Sequence, residues 1–135
     1  MDRFVKYFIA MSMVYLTAAA ILGVVMLAHP YLLTFRFIHS HLMLLGWVSM
    51  MIYGVGYHIL PRFAGKVLKS KTMGEVQFWT ANIGLIGMLF FYALNEYNPD
   101  GPSMKMTVVF GAMEVLSIIL FFYNMMVTVF SKSEN

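Results

Sequence analysis

The side chains able to do chemistry in this 135-residue chain are few and gathered. All four histidines, His29, His39, His41 and His58, fall within one short stretch. Cysteine is absent. Thiolate zinc sites, iron–sulfur clusters and the C-x-x-C-H attachment of covalent heme are therefore excluded. What remains is imidazole, which suits iron, copper or zinc, and methionine thioether, which with imidazole suits copper(I). Glu114 is the one carboxylate deep inside an apolar stretch. It could take a proton, pair with a ligand imidazole, or hydrogen-bond a propionate or a quinol. Its bland alternative is a buried neutral side chain.

Spacing limits what the histidines can do together. On one helix His39 and His58 stand about 28 Å apart at 1.5 Å per residue, so they cannot share an ion. If both are ligands, two centres lie stacked along the helix. A helical wheel puts His39, Met43, Gly46, Met50, Tyr53 and Tyr57 on one stripe, and Ser40, Leu44, Trp47, Met51, Gly54 and His58 on the next. The aliphatic stripe of His41, Leu45, Val48, Ile52 and Val55 is expected to face lipid or a partner chain. Gly46 and Gly54 remove side chains where a flat macrocycle, or simply another helix, could approach. His39, on the inward stripe, is the expected ligand. His41 is a ligand, a partner contact or an interfacial residue. His58, one turn from Pro61-Arg62, is a ligand of a second centre or an interfacial residue. His29 beside Pro30 is expected to be a loop residue, although at a depth that could reach an outer site.

The elements that carry these groups follow from composition. Hydrophobic residues make up 61% of the chain and charged ones 11%, which leaves too little polar surface for a soluble domain of this size. Four continuous apolar runs, at about residues 5–28, 37–60, 76–94 and 106–130, are each long enough to cross a bilayer. The expected fold class is an all-α, polytopic membrane four-helix bundle forming one transmembrane domain. The first run is too long for a cleavable signal peptide. The breaks are expected at His29-Pro30, Pro61-Arg62 and Asn98-Pro99-Asp100-Gly101-Pro102. Arg3, Lys6, Arg62, Lys66, Lys69, Lys71 and Lys132 fall on one side, and only Arg36 and Lys105 on the other. This asymmetry predicts both termini in the cytoplasm, and a place in the cell's inner (cytoplasmic) membrane. It also accounts for the basic pI of about 9.2 without a nucleic-acid partner.

The stretch from His39 through Met43, Gly46 and Gly54 to Tyr57-His-Ile-Leu-Pro61-Arg62 resembles the second helix of heme–copper oxidase subunit I. The cbb-type oxidases, the nitric-oxide reductases and the NnrS-related proteins are the nearest in character. Gly54 follows His39 by 15 positions and Pro61 follows it by 22, the spacing of that family's helix. In that family a histidine near the start of this helix is an axial ligand of heme b. The resemblance implies that role for His39, with His41 as a rival because of the H-x-H-L-M-x-x-G opening. It covers under a fifth of the chain. The other three segments contain no histidine, so the family's oxygen- or nitric-oxide-reducing centre does not carry over.

The expected function is thus electron transfer by a membrane heme b protein, quinol-linked or gas-binding, with one or two hemes per chain and a quinone or other redox partner. One helix cannot present ligands to both faces of a porphyrin, so the second ligand is a methionine of the first or fourth segment or comes from a neighbouring copy. A homodimer is expected, with a trimer as the alternative. The fourteen methionines keep a His/Met copper protein as a rival. They scatter over all segments, as flexible filler would. The third reading is an assembly subunit without cofactor. Asn82, Thr80 and Asn124 are expected to form interhelical hydrogen bonds, and Gly84, Gly87, Ala18–Ala20 and Gly23 to provide close-packing surfaces.

Overall fold

The computed structural model describes residues 1–131, and among these there is no strand. Helix α1 runs Arg3–Ala28. A 3₁₀ turn, Pro30–Phe35, leads into α2 (Arg36–His41), a π-helical segment (Leu42–Ser49) and α3 (Met50–Phe63). These pieces form one continuous second span, Pro30–Phe63. Helices α4 (Lys71–Tyr97) and α5 (Ser103–Phe130) complete the bundle. All four spans are long and apolar enough to cross a membrane. Helix is the form such runs must take, because lipid offers no partner to an unpaired backbone amide.

The ends of the elements follow local chemistry. The third span begins at Lys71, five residues before its apolar run. Ser70 caps it, accepting the Met73 amide at 3.1 Å, so a polar first turn is helical as well. The second span does not break at Pro61-Arg62. Pro61 is carried in the last turn, where its missing N–H leaves one carbonyl, that of Tyr57, without its ladder donor. The chain stops two residues later in a Schellman motif. Gly65, at φ 64°, donates to Arg62 O and Lys66 to Pro61 O, at 3.0 and 2.8 Å. The left-handed turn there needs a residue without a Cβ.

Helix α1 packs along the second span, and α4 along α5. The two pairs meet through an aromatic core to which every span contributes. Phe8 meets Tyr53 and Phe78 edge-on at 5.6 and 5.1 Å, and Phe121 meets Tyr53 and Tyr57 at 4.8 and 5.2 Å. Ile52, Ile83, Val108 and Ile119 point outward, as lipid-facing residues should.

Three segments gather at one end of the bundle. Lys71 pairs with Asp2 at 2.8 Å, Lys66 donates to the Ser131 carbonyl, and the Lys69 amide donates to Thr128 Oγ1 at 3.0 Å. The amino-terminal residues, the 64–70 connection and the end of α5 therefore lie together. This basic end holds Arg3, Lys6, Arg62, Lys66, Lys69 and Lys71, and Arg36 and Lys105 lie toward the other. Lys132 falls outside the described residues. At the opposite end Thr34 donates to Glu96, and Phe35 lies against Tyr97.

Candidate functional site

His39 and His41 lie near the end opposite the basic cluster, and each ring is held by a backbone carbonyl. His39 Nδ1 is 3.0 Å from Ala19 O of α1. His41 Nδ1 is 2.8 Å from Phe37 O, one turn back on its own helix. A carbonyl only accepts, so in both rings Nδ1 carries the hydrogen. In the neutral imidazole Nε2 then keeps its lone pair. Protein imidazoles that ligate metals are commonly oriented this way.

Gly23 makes room for His39. A Cβ at that position would lie 3.0 Å from His39 Cε1 and 3.4 Å from Nδ1. Ala19 and Gly23, four residues apart on α1, form a shallow seat for the imidazole. His41 lies tilted against Phe37 at 3.9 Å, and Phe37 in turn stacks on Tyr92 at 4.2 Å.

Of the three glycines of the second span, Gly46 and Gly54 lie directly against α1, and Gly56 faces Phe121 of α5. A Cβ on Gly46 would sit 2.7 Å from Tyr15 Cβ, and one on Gly54 would sit 2.7 Å from Ile9 Cγ1. Both positions are filled by helix–helix contact, so neither leaves space for a macrocycle between α1 and the second span. Of the expected inward stripe, Gly46, Met50, Tyr53 and Tyr57 are buried, whereas His39 and Met43 are half-buried. The π segment explains the difference. Its i→i+5 bonding turns the chain less per residue than an α-helix does, so residues before and after it are rotated relative to a straight wheel. Ser49 marks it, donating to Leu44 O at 2.9 Å.

His58 lies at the basic end. Its ring contacts the Arg62 guanidinium, with Nη1 2.7 Å from Nδ1. The arrangement sets it beside a cation and far from His39 and His41. His29 is exposed and pairs with Tyr31 at 5.7 Å. Among the described residues no group of three or more His, Asp or Glu side chains gathers.

Glu114 is buried on α5, close to α4 at Gly84, and its Oε1 has no hydrogen-bond partner among the described residues. It makes no hydrogen bond to either histidine. Around it lies a polar seam that is only partly legible in sequence. Tyr15 donates to Asn82 Oδ1 at 2.7 Å, and Gln77 donates to Ser117 at 3.2 Å. Asn124 donates to Ser70 O at 2.8 Å. Thr80, expected to bridge helices, instead bonds Val76 O of its own helix. Gln77, Ser117 and Tyr15 carry no motif. Their only signal is polarity recurring on helix faces within apolar runs.

The chain was compared with protein-family models, with curated proteins and with solved structures, and none matches.

Proposed function

We propose that this chain is a membrane heme b protein that transfers electrons, with iron held by an imidazole at the end of the second span. One observation carries the reading. Two half-buried histidines, two residues apart, each give Nδ1–H to a backbone carbonyl and keep Nε2 for a ligand. His39 is the favoured ligand because a seat on another helix holds it, whereas His41 is held only by its own. The donors fit heme iron, but the contact between α1 and the second span has no slot for a porphyrin. The reading therefore sets the heme against the outside of the four-helix unit, where a second copy supplies the opposite face. Bound heme would supply one-electron redox chemistry, while the chain orients the ligand and excludes water. The basic end faces the cytoplasm by the positive-inside rule, and the membrane is the cell's inner membrane.

The experiment is the visible absorption spectrum of the purified protein with a heme-to-protein ratio. A Soret band, a sharp reduced α-band and a pigment fully extracted by acid–acetone are expected. Absence of these bands from protein made with sufficient heme would overturn the reading. The contacts at Gly46 and Gly54 favour a second reading, a cofactor-free assembly subunit whose glycines serve helix packing alone. A colourless, metal-free protein would establish that one. Copper is less favoured, because Met26, Met50, Met88 and Met125 are buried on different spans and act as core filler.

A further inference from the structure

The basic end contains an open cavity of about 370 Å³ that the heme reading does not use. Arg62, Lys66 and Lys71 line it, with Asp2 as the one carboxylate among the described residues. Three cations against one carboxylate leave an excess of positive charge. The partners each cation already has do not exhaust its donors. Lys71 gives one hydrogen to Asp2, Lys66 contacts Ser131, and Arg62 contacts His58. A lysine carries three donors and an arginine five.

Tyr57 provides an independent sign of a ligand. It lines the same cavity, is 4% exposed, and its buried hydroxyl, beside the Asn124 side chain, makes no full hydrogen bond among the described residues. Such a group costs free energy unless something satisfies it. The rest of the lining includes Val5, Pro61 and Leu68, so the cavity joins a cationic rim to apolar walls at the end of the membrane-crossing helices.

We propose that this cavity binds one phosphate-bearing anion, with Arg62, Lys66 and Lys71 holding the charge and Tyr57 donating to an oxygen. Guanidinium and ammonium groups are the side chains that recognise phosphate. The headgroup of an anionic lipid and free phosphate share this chemistry. The apolar walls suit the lipid, whose acyl chains lie beside them. The site is independent of heme and of the orientation of the chain.

The test is native mass spectrometry of the full chain in neutral detergent and ammonium acetate. Phosphatidylglycerol, phosphatidylcholine and inorganic phosphate are added in separate arms. One phosphatidylglycerol per chain is expected to be retained in preference to phosphatidylcholine. The double variant Arg62→Gln/Lys66→Gln should weaken it about 10- to 30-fold, as removal of two basic contacts to an anionic headgroup does. Tyr57→Phe should weaken it by about threefold, the loss of one modest hydrogen bond. Phosphate retained with the same dependence on these variants, and not displaced by phosphatidylglycerol, would identify the free ion as the ligand. Arg36→Gln/Lys105→Gln, away from the cavity, should bind as wild type does. If the cavity variants fail to fold, wild-type protein still decides the matter, because the preference must fall as salt is raised. Equal retention of both lipids without phosphate binding, or retention unchanged in the double variant, would overturn the proposal.

Discussion

Replacing Gly46 by alanine tests the close approach on which the histidine site depends. The added Cβ would lie 2.7 Å from Tyr15 Cβ and 2.8 Å from its Cγ, where ordinary contact begins at 3.4 Å. Neither atom is the free end of a side chain, so relief requires α1 and the second span to separate by about 0.7 Å. Overpacking of this kind costs about 1–3 kcal/mol, and the absence of a rotameric escape puts Gly46→Ala in the upper half of that range. A separation carried along the helix pair would stretch the His39–Ala19 hydrogen bond from 3.0 to about 3.7 Å, past the limit of a real bond. The assay is reversible unfolding in mixed micelles followed by circular dichroism. Ile52→Ala, on the lipid-facing side of the same span, serves as the control and should cost no more than about 0.5 kcal/mol. If the proposed heme is bound, its retention should also fall in Gly46→Ala, although no ligand has been removed. A Gly46→Ala protein as stable as the Ile52→Ala control would refute the packing argument.

Of four further outcomes, three rest on the proposed heme and one on a buried hydrogen bond. His39→Ala is expected to lose more heme than His41→Ala in the absorption spectrum, and full retention by His39→Ala would reverse the assignment. A second heme at His58 would raise the ratio to two per chain, and a ratio of one that His58→Ala leaves unchanged would remove it. Tyr15→Phe breaks the buried bond to Asn82 and should cost about 0.6 kcal/mol, at most about 1.7, as interhelical hydrogen bonds in membranes do. A double-mutant cycle with Asn82→Ala that is strictly additive would show that the bond contributes nothing. Finally, the heme-loaded protein should be at least a dimer by mass in detergent, with bis-histidine magnetic spectra. A monomer with that ligation would sink the interface model, since residues at i and i+2 of one helix cannot straddle a porphyrin.

The four spans were legible because a long apolar run leaves the backbone no alternative to helix. Their ends were less so, since a polar first turn such as Lys71-Thr72-Met73 looks like loop when only hydropathy is read. Pro61 reads as a break but stands in a last turn, where little of the hydrogen-bond ladder remains to be lost. The half-burial of Met43 and His39 escaped a straight helical wheel, because nothing in Leu42–Ser49 announces i→i+5 bonding. The Ala19–Gly23 seat was partly visible as two small residues one turn apart. That His39 would be its occupant depended on the rotation the π segment imposes. The polar seam was readable residue by residue as Asn82, Asn124 and Glu114. The pairing of Tyr15 with Asn82 needed the relative depth of α1 and α4.

The π segment also bears on what lengths of chain this bundle tolerates. An i→i+5 turn holds more residues than the α turn it replaces, so Leu42–Ser49 contains slack. Removing one residue there lets the backbone revert to i→i+4 bonding, with the change absorbed locally. The same deletion in Met50–Phe63 has no slack to draw on. It would turn Tyr53 and Tyr57 about 100° away from the aromatic core, one α-helical residue's worth of rotation. Deletions in the second span are therefore unequal events, cheap just after the histidines and ruinous a few turns beyond them.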